Sequence, residues 1–251
     1  MIFKFSHIIF FRLAFSSLML VFTSCNNEGA GCFEKSGKTK TVNVDLPAFN
    51  AIDVTTNVDV QLLTSGTDRI EITTGSNLIS GISLIVEDSV LKIENLNGCF
   101  WTRGYVAPIV SIRNANLERI IQHGYGRIYS LDTLKTEEFS IQVEDASGAV
   151  DLIIDANFVR VVSNNIGPIT LNGSANRLDA GHYWSDGILY AKDLKVQDCR
   201  VNHNGSNRME LNVTNSLNGT INSLGSVYLF GQKPISVDIT ITGDGSVIEK
   251  Y

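Results

Sequence analysis

The closing stretch Ile241-Thr242-Gly243-Asp244-Gly245-Ser246-Val247 decides how this chain is read, because its Gly-Ser-Val core recurs. Walking backwards, a glycine two residues before an aliphatic appears as Gly225-Ser-Val227, Gly187-Ile-Leu189, Gly167-Pro-Ile169, Gly148-Ala-Val150 and Gly126-Arg-Ile128. Asn207-Arg-Met209 fills the slot between Gly187 and Gly225, and asparagine is the residue that best replaces glycine where a left-handed backbone is needed. The steps between anchors are 22, 19, 20, 20, 18 and 20 residues, an internal repeat at the short end of the solenoid range. An apolar residue usually follows at the fourth position after the anchor, as Leu152, Leu171, Ala191, Leu211 and Leu229.

Each unit reads as strand, sharp corner, strand. Val150-Asp-Leu152-Ile-Ile154 and Val227-Tyr-Leu229 alternate with the period of two expected of a strand with one buried face. The corners carry Gly, Asn, Ser and Asp, which tolerate tight turns, and no long helical stripe interrupts them. A unit this short has no core of its own, so units must stack and share one. The fixed spacing of a leucine-rich repeat does not hold. The predicted architecture is an all-β, single-domain β-solenoid, right-handed and parallel β-helix-like, with rungs of about 20 residues. Gly243-Asp244-Gly245 is then a rung corner. A phosphate loop would need a lysine and a following helix, and a calcium β-roll would need its nonapeptide in tandem.

The first 24 residues are set aside from the fold. Lys4 and Arg12 precede an apolar run from Leu13 to Phe22, too short to span a bilayer and matching a secretory signal. The run ends at Phe22-Thr23-Ser24-Cys25, similar to a bacterial lipobox with Phe22 where leucine is usual, so Cys25 is the predicted lipidation site. Residues 25–38 then form a lipidated cysteine and polar tether, and residues 39–251 the solenoid head. Without residues 1–24 the chain carries 18 Lys plus Arg against 26 Asp plus Glu, a formal charge of −8. With no basic cluster, nucleic acid is not an expected partner. The membrane link would be the lipid alone. Asn26 lacks the aspartate that typically retains lipoproteins at the inner membrane, which favours the outer membrane, periplasmic or surface-exposed. In an exported protein Cys32 and Cys99 are the predicted disulfide, whereas Cys199, in an alternating strand, is expected to be a buried free thiol.

Strand-like runs fill the N-terminal half, with turn signals at Ser65-Gly66, Gly75-Ser76 and Asn97-Gly98, and Ser76–Ile82 is read as one helical turn. The repeat begins near Phe49 in a less regular form with hairpin embellishment, which would cover one end of the solenoid. The lipobox, "FNAIDVTTNVDVQL" from Phe49, "LIVEDSVLKIEN" from Leu84 and the recurring Gly-x-aliphatic rungs together resemble the head GIN domain family. Its members carry the label "putative auto-transporter adhesin" and are common among Bacteroidetes envelope lipoproteins. The resemblance implies a right-handed parallel β-helix-like fold and an adhesin role. Several corners depart from the family's usual Ser-Gly-Ser-Gly, among them Asn164-Asn165-Ile166-Gly167 and Ser185-Asp186-Gly187.

Candidate site residues cluster before the anchors. His182-Tyr183-Trp184 and His203 come from consecutive units, with Tyr125 further along the same edge, and such side chains would stack on sugar rings. The competing reading has alternate residues pointing into the core, with Trp184 filling a gap. Two histidines without a partner carboxylate do not make a metal site, and no metal or cofactor is expected. The carboxylates Glu144, Asp145, Asp179, Asp186 and Asp198 fall at different offsets from their anchors and do not form one column, so no catalytic residue is assigned. The function expected is a lipid-anchored envelope binding or adhesion module for a glycan or an envelope protein. The alternatives are a carbohydrate-active β-helix enzyme (polysaccharide lyase or hydrolase) and a structural envelope protein, homo-oligomeric in either end-to-end or trimeric form.

Overall fold

The structure, a computed structural model, describes residues 35–98 and 107–251. The signal segment, Cys25, Cys32 and Cys99 lie outside the described residues. Among the described residues, seventeen strands form one continuous sheet wound into a β-solenoid of about seven turns. They are β1 (Thr39–Val44), β2 (Ala51–Val54), β3 (Asp59–Leu63), β4 (Arg69–Gly75), β5 (Ile82–Glu87), β6 (Val90–Asn95), β7 (Ile109–Arg113), β8 (Arg119–Gln122) and β9 (Ile128–Ser130). The regular part continues through β10 (Leu134–Glu144), β11 (Val150–Asn164), β12 (Ile169–Tyr183), β13 (Leu189–Asn204), β14 (Met209–Ile221), β15 (Val227–Leu229), β16 (Ser236–Ile241) and β17 (Val247–Glu249). Ile79–Gly81 makes the single helical turn expected there, a 3-10 turn.

Each regular rung leaves the glycine corner along a first face, bends into a second and returns along a third. The long strands β11 to β13 run through both bends, so the glycine corner is the only sharp break in those rungs. All rungs stack in parallel. On the third face Ile52, Ile120, Ile141, Val161, Ala180 and Val201 stand in one inward column, because a parallel register repeated from rung to rung places like on like. On the first face Val60, Ile128, Val150, Ile169, Leu189, Met209 and Val227 form the equivalent column. Every one of these residues is buried. Cys199 joins the column of Phe139, Val159, Leu178 and Leu217 as a buried free thiol.

Chain order and stacking order part company at the N-terminus. The β2–β3 rung is sandwiched between β6–β7 on one side and β8–β9 on the other. The chain therefore builds its first rung, lays a second beneath it, and only then climbs. Antiparallel strands close this end, β4 against β7, β1 against β4 and β5 against β6. They give the edges of β6 and β7 a partner, as the expected hairpin embellishment requires.

The anchor glycines serve a purpose other than the one read from the sequence. None of Gly126, Gly148, Gly167, Gly187, Gly225 or Gly245 has a positive φ, and neither has Asn207. They are needed for close approach: a Cβ at Gly148 would lie 2.0 Å from the Gly126 carbonyl oxygen, and one at Gly245 2.0 Å from that of Gly225. Each corner sits directly on the corner below. Asn207 fits the column without a left-handed backbone, and its Nδ2 donates to the Asp186 carbonyl at 3.2 Å.

Candidate functional site

The third face ends in a stack of corners, and the residues singled out before the anchors divide there between inside and outside. Gln122, Val143, Ser163, His182, His203 and Ile221 form one inward column. His182 and His203 are 1% and 0% exposed, with ring centroids 5.4 Å apart at an interplanar angle of 83°. No sugar approaching from solvent reaches either imidazole. The polar side chains in and beside this column fold under the corners to satisfy backbone groups, as buried polar atoms must. Gln122 Nε2 donates to the Gly126 carbonyl at 2.7 Å, Asn165 Nδ2 to that of Gly167 at 2.8 Å, and the Gly205 amide donates to His203 Nδ1 at 3.3 Å. Ser163 Oγ donates to Asn165 Oδ1 at 2.6 Å, and Ser185 Oγ to the Asn165 carbonyl at 3.0 Å. Both nitrogens of His182 lack a hydrogen-bond partner among the described residues. Burial first, and the neighbouring His203 second, push the His182 pKa down to about 3, and burial also lowers that of His203. Both rings are neutral and inert at neutral pH.

Outside, the same register exposes Tyr183 and Trp184. Ser163 pairs with His182, while Ser185 bonds to Asn165, so one more residue lies between those positions on β12's rung than on the rung below. Trp184 is that inserted residue. It adopts a left-handed φ of 57° and is 87% exposed. A left-handed backbone at a bulky residue is strained, and it throws the indole out of the corner instead of letting it fill a gap. Asp145 is inserted in the same way on the rung of β10, with φ 50°. Tyr125 is also exposed, at the corner following β8, three rungs from Trp184, and is separate from it.

Tyr183 lies back across Gly181: a Cβ there would meet the Tyr183 ring at 2.6 Å. Its hydroxyl accepts a hydrogen bond from Asn202 Nδ2 at 3.2 Å, which leaves its own proton to donate. Beside the ring a shallow pocket of about 320 Å³ is lined by Arg160, Asp179, Gly181, Tyr183, Arg200 and Asn202. Both oxygens of Asp179 are taken by Arg177 at 3.0 Å, whereas Arg160 and Arg200 form no ion pair among the described residues. The sequence carried no flag for these arginines, because they are scattered 40 residues apart and form no basic run. Only the strand register puts them in one line.

Two other surfaces were also hidden in the sequence. The second face carries an open polar groove of about 730 Å³, along which Gln197 Nε2 donates to Asn176 Oδ1 at 2.9 Å and Asn176 Nδ2 to Asn157 Oδ1 at 2.8 Å. The first face carries half-buried Tyr129, Tyr190 and Tyr228, with Arg127, Arg208 and Lys250 4.9–5.8 Å from their ring centres. Those cations occupy ring faces that a sugar would need. The remaining carboxylate candidates are engaged by neighbours: Glu144 accepts from Gln142, Asp186 from Ser206, and Asp198 from Asn215 and Ser216. Among the described residues no three His, Cys, Asp or Glu side chains come together as a metal site.

Residues 48–232 match the family model described as "Putative auto-transporter adhesin, head GIN domain". The chain belongs to this family. A crystal structure of a putative adhesin from Bacteroides fragilis NCTC 9343 superposes with a TM-score of 0.77 at 21% identity, over 86% of this chain and 100% of that one. A putative adhesin from Parabacteroides distasonis ATCC 8503 gives 0.63 at 21% identity, over 86% and 99%. A protein of the same organism named as a putative lipid binding protein gives 0.62 at 17% identity, over 87% and 100%. At these identities the likeness is one of fold. No curated protein matches the chain. Membership of the head GIN family points to an adhesin-like protein of the cell envelope or surface and away from an enzyme.

Proposed function

We propose that this head GIN protein is a lipid-anchored envelope module that binds glycan or envelope-protein ligands on its third face, beside the Trp184 corner. The observation that carries the reading is Trp184 itself. A tryptophan held 87% exposed on a strained, left-handed residue contributes nothing to the core, and it stands next to Tyr183 and the arginine-lined pocket. A rigid stack of rungs presents that surface without an ordering cost on binding, which suits shallow, repeated contacts with an extended ligand. The family's adhesin character supports the same reading. Lipidation at Cys25, a Cys32–Cys99 disulfide and an outer-membrane location complete the proposal.

The test is co-migration. The purified protein is mixed with neutral and acidic polysaccharides and with envelope-protein extracts, then run on size exclusion while both protein and sugar size are followed. Co-migration without shortening of the sugar is the expected result, and Trp184→Ala should weaken it about tenfold, as loss of an exposed aromatic anchor does. Shortened sugar would refute a binding-only role.

A further inference from the structure

The third face carries a second, longer pattern. In the outward column Arg119, Ser140, Arg160, Asp179 and Arg200 stand on successive rungs, so an arginine occupies every second rung. All three arginines are exposed, and none forms an ion pair among the described residues. Arg160 rests instead over the Phe158 ring at 5.7 Å. The one acid between them, Asp179, is neutralised by Arg177 in a two-oxygen contact. A chain of net charge −6 thus keeps along its axis a line of guanidinium groups that make no direct ion pair among the described residues, although Glu118, Glu137 and Glu138 line the same groove as Arg119 and Arg160. With strands about 4.8 Å apart, the spacing between arginine positions is ~9.6 Å, about the length of one disaccharide in an extended, β-linked polysaccharide.

We infer that this row binds a linear anionic polysaccharide lying along the solenoid axis, with one carboxylate or sulfate ester per disaccharide facing each arginine. The inference rests on the glycan reading above and narrows its ligand. A guanidinium presents paired N–H donors that suit the planar carboxylate and the sulfate alike. Between Arg119 and Arg160, Ser140 offers a neutral hydroxyl to the intervening sugar, and between Arg160 and Arg200 the Tyr183 hydroxyl, lying across Gly181, keeps a proton to donate.

The test measures affinity of the purified protein for three immobilised polymers at physiological salt. They are hyaluronan (one carboxylate per disaccharide), keratan sulfate (sulfate esters and no uronate) and neutral dextran. Binding to hyaluronan, to keratan sulfate or to both, with dextran at least tenfold weaker, is expected, and the first two arms tell carboxylate from sulfate. The double variant Arg160→Ala/Arg200→Ala should lose about tenfold in affinity. Arg69→Ala, which removes one charge from the antiparallel N-terminal part, should lose nothing. Equal binding of dextran would overturn the inference and leave the glycan reading standing. No binding to any of the three, or equal losses in the double variant and Arg69→Ala, would overturn it as well. Retained melting temperature in the variants separates lost contact from lost fold.

Discussion

Lowering the pH from 7.5 to 5.5 should destabilise the fold through two histidines that never meet solvent. Burial holds the His182 pKa at about 3, against 6.5 in an unfolded chain. A base whose folded pKa is depressed binds protons better when unfolded, so its contribution is intact above pH 6.5 and is lost as pH falls below it. Over this interval the unfolded imidazole gains its proton while the folded one stays neutral, a loss of ~1.4 kcal/mol from His182. His203, lowered by burial in the same direction, adds to it. Asp132 and Asp198 have depressed carboxyl values, so their stabilising contributions disappear only at more acid pH and leave this window to the histidines. Asp132 owes its depression to hydrogen bonds from Ser65 and Thr64, which outweigh burial. Urea unfolding at pH 7.5, 6.5 and 5.5 reads the effect as a falling midpoint at constant slope against urea. His182→Leu should remove its share of the pH dependence. It should also hold or raise stability at pH 7.5, since two unsatisfied buried nitrogens disappear with the ring. An unfolding free energy independent of pH from 7.5 to 5.5, or an undiminished dependence in His182→Leu, would refute the neutral, buried imidazole.

Gly148→Ala should destabilise by roughly 2–4 kcal/mol, because the new methyl meets backbone at 2.0 Å that has no room to retreat; a melting temperature unchanged from the parent would contradict the stacked-corner account. Cys199 lies fully inside the core, where burial pushes its thiol up, so peptide mapping after alkylation of the native protein should find it unmodified and find it labelled once urea is present.

The repeat, the strand alternation and the aliphatic columns were legible because a solenoid writes its core locally: each rung buries its own alternate residues against copies of the same pattern. The irregular start was legible only in part. That β2–β3 lies between two later rungs depends on long-range pairing, which leaves no periodic mark between Ala51 and Ile128. The candidate site shows the same divide. His182, Tyr183, Trp184 and His203 were found as neighbours, yet a strand's alternation sends His182 inward and Tyr183 outward, and only the register says which parity faces the core.

By itself, the sequence determined an all-β solenoid with rungs of about 20 residues and glycines at its corners, because period and alternation are properties of a short window of chain. Tertiary structure alone decided why those corners are glycine, through a carbonyl 2.0 Å from where a Cβ would stand. It also decided that one inserted residue expels Trp184 from its corner, and that Arg119, Arg160 and Arg200 fall in line. Those facts come from the stacking of one rung on the next, where residues about 20 or 40 positions apart become neighbours and a single residue of register moves a side chain from core to solvent.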